Sequence, residues 1–147
     1  MPPTIRPATE ADQPTIRRVI GEARLPPMNL HWPNFVVAEE DGQVVGVGQV
    51  KSHSDGSREL ASIAIVPGRQ GEGIGTAVIS TLLAREAGVV LHLSCRRELE
   101  GYYERFNFRR LEQAAYPPYF RRTTRLANLI MPFFGIHLIV MRRDAGG

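Results

Sequence analysis

The chain has 147 residues, 43% of them hydrophobic, which suffices for one domain with a buried core and falls short of two independent ones. A single cysteine, Cys95, excludes an internal disulfide framework, and His31, His53, His92 and His137 lack the local spacing of a zinc site, so no metal is expected. The net charge of +3 is unevenly spread: residues 1–104 carry 10 basic and 13 acidic side chains, residues 105–147 carry 8 and 2. Arginine supplies all the basic residues except Lys51, so an arginine at any one site carries little information by itself.

Met1-Pro2-Pro3-Thr4 shows no charged leader followed by an apolar run, which predicts a cytoplasmic protein. Thr4 to Pro7 reads as a first strand and Thr9-Glu10-Ala11-Asp12 as a capping box. Ile16, Val19, Ile20 and Ala23 then form one helical stripe, with Pro14 tolerated in the first turn. Leu25 to Pro33 is too interrupted for a long helix; it is either a pocket wall or, through Trp32 and the following Phe35, a plug for the end of the core. Phe35 to Glu39 and Val44 to Lys51 read as strands joined by a turn at Asp41-Gly42, with Gly46 and Gly48 marking close approach of another element. Asp55-Gly56 signals a second turn, and the whole reads as an antiparallel meander.

Arg58 to Val66 is the next strand, and it runs into Gln70-Gly71-Glu72-Gly73-Ile74-Gly75. A helix is predicted from Gly71 to Ala87, with Ile74, Val78 and Leu82 inward, Ala77 and Thr81 beside them, and Gly88 as its stop. Glycines at a strand-to-helix turn let the backbone approach an anion while first-turn N–H groups point at it; the same turn also serves packing alone. No Gly-Lys-Ser/Thr follows, which argues against a nucleoside triphosphate. Val89 to Ser94 forms the next strand, able to run parallel to the previous one across the intervening helix. Leu99 to Phe106 reads as a helix stopped by Asn107. A long connection follows, in which Thr123 to Met131 is a short helix ended by Pro132. Ile136 to Arg143 is the last strand and Asp144 to Gly147 a frayed tail. Leu126 to Val140 is apolar but holds Asn128, Pro132, Gly135 and His137, short of the ~20 residues of a membrane span.

Ile65, Pro67, Gln70, Gly73 and Gly75, with Gly71 between them, resemble the acetyl-CoA-binding motif Val/Ile-x-Pro-x-x-Arg/Gln-x-x-Gly-x-Gly of the GCN5-related N-acetyltransferase (GNAT) family. Tyr103-Glu104-Arg105-Phe106-Asn107-Phe108 resembles the second family signature, Tyr-Glu-Lys-x-Gly-Phe, with Arg105 for lysine and Asn107 for glycine. Ile5-Arg6-Pro7-Ala8-Thr9 is similar to the common start of its members. The resemblance implies an α/β fold with a mixed sheet of six to seven strands and helices on both faces. One domain would span residues 1–147, with an inserted connection at about 112–134.

It also implies transfer of the acetyl group of acetyl-CoA to a primary amine, on a small molecule or peptide, by direct attack in a ternary complex. Ile63, Ile65, Gln70, Gly71, Glu72, Gly73, Ile74, Gly75 and Thr76 would hold the cofactor, with Glu72 turned outward. Tyr103 would protonate the departing thiolate, and a backbone N–H near Ile65 would face the oxyanion. Glu59 is a general base, an anchor for the substrate ammonium, or a solvated carboxylate at a strand end. Asn29, Trp32, Tyr119, Arg121 and Arg122 would border the acceptor, the arginines favouring one that bears an anionic group. Cys95 is read as a small buried residue rather than a nucleophile. The basic connection is a lid, the arm of a homodimer through residues 119–134, or a patch for an acidic surface such as nucleic acid or anionic lipid, with nucleic acid the less expected partner. The reading from another class is a non-catalytic acyl-CoA-binding module whose basic arm contacts a partner.

Overall fold

The Asp41-Gly42 turn sets one hairpin, and the other pairings join strands farther apart in the chain. β1 (Thr4–Pro7) pairs antiparallel with β2 (Phe35–Glu40), and β2 pairs antiparallel with β3 (Gln43–Ser52) across Asp41-Gly42. With β4 (Arg58–Ile65), β5 (Leu91–Arg96), β6 (Arg109–Arg110) and β7 (Leu138–Arg143) they make a mixed seven-stranded sheet in the order β1-β2-β3-β4-β5-β7-β6, an α/β fold. β4 and β5 run parallel with Glu59 opposite His92. The structure, a computed structural model, describes residues 2–147; Met1, the first residue of the segment read as leaderless, lies outside them. Two units are distinguished, Met1–Lys51 with Leu60–Glu86, and Ser52–Glu59 with Ala87–Gly147. Among the described residues no helix is long and apolar enough to cross a membrane.

In the first unit the Thr9 capping box closes through Asp12, whose carboxylate accepts from the Thr9 N–H at 2.7 Å and leads into α1 (Gln13–Glu22). Pro14 sits in the first turn and Ile16, Val19 and Ile20 are buried, while Ala23 lies past the last turn and is exposed, so the stripe is one residue shorter than its spacing suggests. Arg6 donates to both Asp12 oxygens (2.8 and 3.1 Å) and holds that carboxyl down to about 2. Because the folded value is depressed, this stabilisation is complete above the ordinary carboxylate range and is lost as pH falls through about 2. Asp12→Asn is therefore expected to cost about 2 kcal/mol at neutral pH, with the gap to wild type narrowing below pH ~4 in urea titrations.

α2 (Ile74–Arg85) starts three residues later than the apolar pattern suggests. Gly71 (φ 80°) and Gly73 (φ 83°) hold left-handed conformations that no helical residue adopts, so the helix begins only after them. Its end also comes before Gly88, where the Glu86 N–H closes the last turn on Leu82 O and Leu83 O (3.2 Å each). Ile74, Val78 and Leu82 are buried as expected, joined by Ile79 and Leu83, while Ala77 faces solvent. Gly48 lets α2 settle close to β3: a Cβ there would stand 2.6 Å from Val78 Cγ1 and 2.7 Å from Ile63 Cδ1. Gly48→Ala is expected to destabilise by about 1–3 kcal/mol, read as a lower urea midpoint.

In the second unit α3 (Glu100–Glu104) is stopped by Asn107 at φ 69°, and the Phe108 N–H returns to Tyr103 O (3.3 Å). α4 (Pro118–Ile130) begins at Pro118 rather than Thr123. Pro118 is at home in the first helical position, where no N–H is needed. Phe120 and Thr124 are buried on its inner face, Phe120 together with Tyr116 and Val140, and the Asn128 side chain bonds both Leu138 O (3.2 Å) and Leu138 N–H (3.1 Å). The tail is docked rather than frayed: the Gly146 N–H donates to Ala87 O (2.8 Å) and Asn107 Nδ2 to Gly147 O (2.7 Å).

Candidate functional site

The glycine turn lies in the first unit, between β4 and α2. Ser62, inside β4, stands at φ 58°, a conformation that costs a non-glycine residue about 1–3 kcal/mol. Its Oγ accepts from Gln49 Nε2 (2.8 Å), which also donates to Asn29 O (3.3 Å). The irregularity falls just before Ile63 and Ile65, the stretch where an oxyanion donor is expected. Both isoleucines are half-buried, with their Cδ1 atoms against Gly48 and Gly46, so the side chains turn inward and the backbone is what remains for a ligand.

Gln70 folds back on its own loop, accepting from the Gly68 N–H (3.1 Å) and donating to Ile65 O (3.3 Å). Arg69 spans Glu40 (2.8 Å) and Glu72 (2.9 and 3.1 Å), so Glu72 is an exposed, paired carboxylate. These contacts brace the loop. Gly73 caps α2, and the helical ladder begins with Ala77 N–H to Gly73 O (3.1 Å), so the N–H groups of Ile74 and Gly75 precede it and point out of the helix start, with Thr76 next in line. Backbone donors at a positive helix end, reached over glycines with no side chain in the way, fit a pyrophosphate.

Gln49 was not anticipated by the motif reading. It is fully buried, yet it stands at alternate spacing with Val45 and Val47 on β3, and that polar interruption of an inward face was the available signal. Asn29 is exposed at φ 59°, and its carbonyl rather than its amide is the held group. Trp32 is half-buried against the core that contains Phe35, and its backbone N–H donates to Gln13 Oε1 (2.9 Å).

Glu59, in the second unit, is only 8% exposed, which removes the solvated reading. Its Oε1 lies 2.8 Å from His53 Nε2, and the His53 ring stacks on Tyr119 with centroids 3.4 Å apart and planes within 13°. Phe120 meets His53 edge-on at 5.9 Å and lies 5.6 Å from the His92 ring. The β3–β4 loop fastens α4 from its start, with Asp55 Oδ2 accepting from the Tyr119 N–H (2.9 Å). Burial alone would raise the Asp55 carboxyl, but hydrogen bonds from Ser57 and Tyr119 outweigh it and hold the group down to about 2. His53 carries no motif of its own. The tight turn between it and Glu59, closed by His53 N–H to Ser57 O (2.9 Å), is what brings the two together.

Tyr103 is half-buried on α3, edge-on to Tyr102 (5.1 Å) and Phe108 (6.2 Å), and burial pushes its phenol up to about 12. Burial likewise pushes the Cys95 thiol up to about 12, with Sγ 4.0 Å from Met141 Sδ, which fits a packing residue and not a nucleophile. Arg121 and Arg122 are exposed on α4, where Arg121 donates to Tyr116 O (3.1 Å) and both border, with Arg125, a shallow cleft of about 270 Å³.

Residues 31–110, more than half of the chain, match the acetyltransferase (GNAT) domain. The chain belongs to the GNAT family. Its fold is similar to that of N-acetylglutamate synthase from Neisseria gonorrhoeae, solved with coenzyme A and N-acetyl-glutamate (TM-score 0.74, 21% identity, 97% of this chain and 35% of that one). It is also similar to Rv2747 from Mycobacterium tuberculosis, solved with CoA and NLQ (0.71, 22%, 97% and 99%). A third similar structure is the ribosomal-protein-S18-alanine N-acetyltransferase from Escherichia coli (0.68, 17%, 98% and 94%). The chain spans about a third of the Neisseria synthase chain, and at these identities the likeness is one of fold. No curated protein matches it in sequence.

Proposed function

We propose that the protein transfers the acetyl group of acetyl-CoA to a primary amine, on a small molecule or a peptide, by direct attack. The observation that carries this reading is the braced glycine turn at the start of α2, in the register of the family's cofactor motif. Gln70 to Thr76 would hold the pyrophosphate through backbone N–H groups, with Gln70 and Arg69 stiffening the loop rather than touching the ligand. An alkylammonium of pKa ~10.4 costs roughly 4–5 kcal/mol to deprotonate at pH 7, and Glu59, held at one oxygen by His53, is the carboxylate proposed to take that proton. Tyr103 is proposed to protonate the leaving thiolate; its raised phenol keeps a proton to give at neutral pH. Asn29, Trp32 and Tyr119 are proposed to border the acceptor. The same reading takes residues 1–147 as one GNAT domain with 112–134 inserted.

Titration calorimetry of acetyl-CoA into the full chain is expected to show saturable binding. Gly73→Val forces a β-branched residue into the left-handed region and is expected to weaken it by at least about tenfold. Absence of saturable binding to wild type would sink the cofactor assignment. Thiol release over a panel of amines would then identify the acceptor.

A further inference from the structure

Residues 113–143 contain five arginines and no aspartate or glutamate. Along α4 the solvent face changes character with position. Arg121 and Arg122 lie in its first half, Arg125 just past its middle, and Leu126 (62% exposed), Leu129 (66%) and Ile130 (62%) follow toward its end. The turn Met131–Phe134 continues the apolar end, with Phe133 at 87% exposure and Phe134 at 74%. There the chain reverses at Gly135, where the Ile136 N–H returns to Met131 O (3.1 Å), and the two Asn128–Leu138 hydrogen bonds fasten the helix end to β7. Two adjacent phenylalanines are thus presented on a fixed tip, behind three exposed arginines.

We propose that the end of α4 and the turn after it dock on an anionic lipid bilayer. The segregation is by depth: Arg122 and Ile130 are eight residues apart, roughly 12 Å along the helix. Guanidinium groups therefore reach phosphate headgroups while the phenylalanine tip enters the acyl boundary, as amphipathic interfacial segments do. A fluid bilayer also needs no shape-complementary groove to receive a protruding tip. A second copy of the chain fits less well, because a symmetric contact over this face would bring six arginines together with no carboxylate in residues 113–143 of either copy. Nucleic acid would satisfy the arginines but leave the leucines and Ile130 in water. Arg121 and Arg122, expected from the sequence to border the acceptor, then belong to the lipid-facing collar.

The test is flotation of the full chain with phosphatidylcholine vesicles, with and without phosphatidylglycerol. Binding is expected only to the anionic vesicles and to fall several-fold at raised salt. Phe133→Ser/Phe134→Ser and Arg122→Glu/Arg125→Glu should each reduce it by at least about tenfold, with unchanged circular dichroism because all four side chains are exposed. No flotation, or equal flotation with neutral vesicles, would overturn the proposal. So would a dimer in light scattering that Phe133→Ser/Phe134→Ser dissolves, or anionic-vesicle binding that neither variant changes.

Discussion

Tyr103→Phe is expected to lower kcat by about 10²–10⁴-fold while leaving the KM for acetyl-CoA nearly unchanged. The substitution keeps the ring that packs against Tyr102 and Phe108 and removes only the O–H, so loss of rate is not confounded by loss of fold. With the phenol raised to about 12, the proton stays in place through the neutral and mildly alkaline range, where Tyr103 contributes no descending limb to the wild-type profile. Glu59→Gln should behave differently. Its deficit is expected to be largest near neutral pH and to shrink as the acceptor amine approaches its own ionisation, because a free amine needs no base. Thiol release measured from neutral to alkaline pH for both variants separates the two roles, and a Tyr103→Phe rate equal to wild type would remove Tyr103 as the acid.

Phe120→Ala is expected to cost about 3–5 kcal/mol in urea denaturation, a large fraction of the stability of an ordinary domain. The ring is fully buried, packs with Tyr116 and Val140, and lies beside His53, His92 and Tyr119. Removing it leaves a cavity under the start of α4 and frees the His53 ring that holds Glu59, so activity should fall further than stability alone explains. Leu129→Ala, at 66% exposure on the same helix, should stay within about 0.5 kcal/mol of wild type. A loss below about 1 kcal/mol for Phe120→Ala would show that the helix is not latched by that ring.

What was legible beforehand depended on how local the cause was. Asp41-Gly42 announces the β2–β3 hairpin through its own φ preferences, and Gly46 and Gly48 announce a close neighbour or a bulge, and both occur: α2 and β4 side chains crowd the two glycines, and the register shifts beside Gly46. The glycine turn could be read for the same reason, although the φ values of Gly71 and Gly73 that make it a cradle also move the helix start to Ile74. Boundaries failed where a residue has two uses: Pro118 breaks a helix or opens one, and it opens α4. The parts that escaped detection depend on partners far along the chain. Asp55 meets the Tyr119 backbone 64 residues on, His53 stacks beneath the same residue, and Asn107 reaches Gly147; no short window contains those pairs.

The strand order carries a consequence for synthesis. β7 lies between β5 and β6, so β5 cannot acquire its antiparallel neighbour until residues 138–143 exist. About 40 residues separate the end of β5 from that partner. Until residues 138–143 join the sheet, β5 has an open edge, a state prone to pair with another molecule. Folding yield in the cell should therefore be sensitive to changes in Leu138 to Arg143 that delay this insertion, even where they leave the finished protein's stability intact.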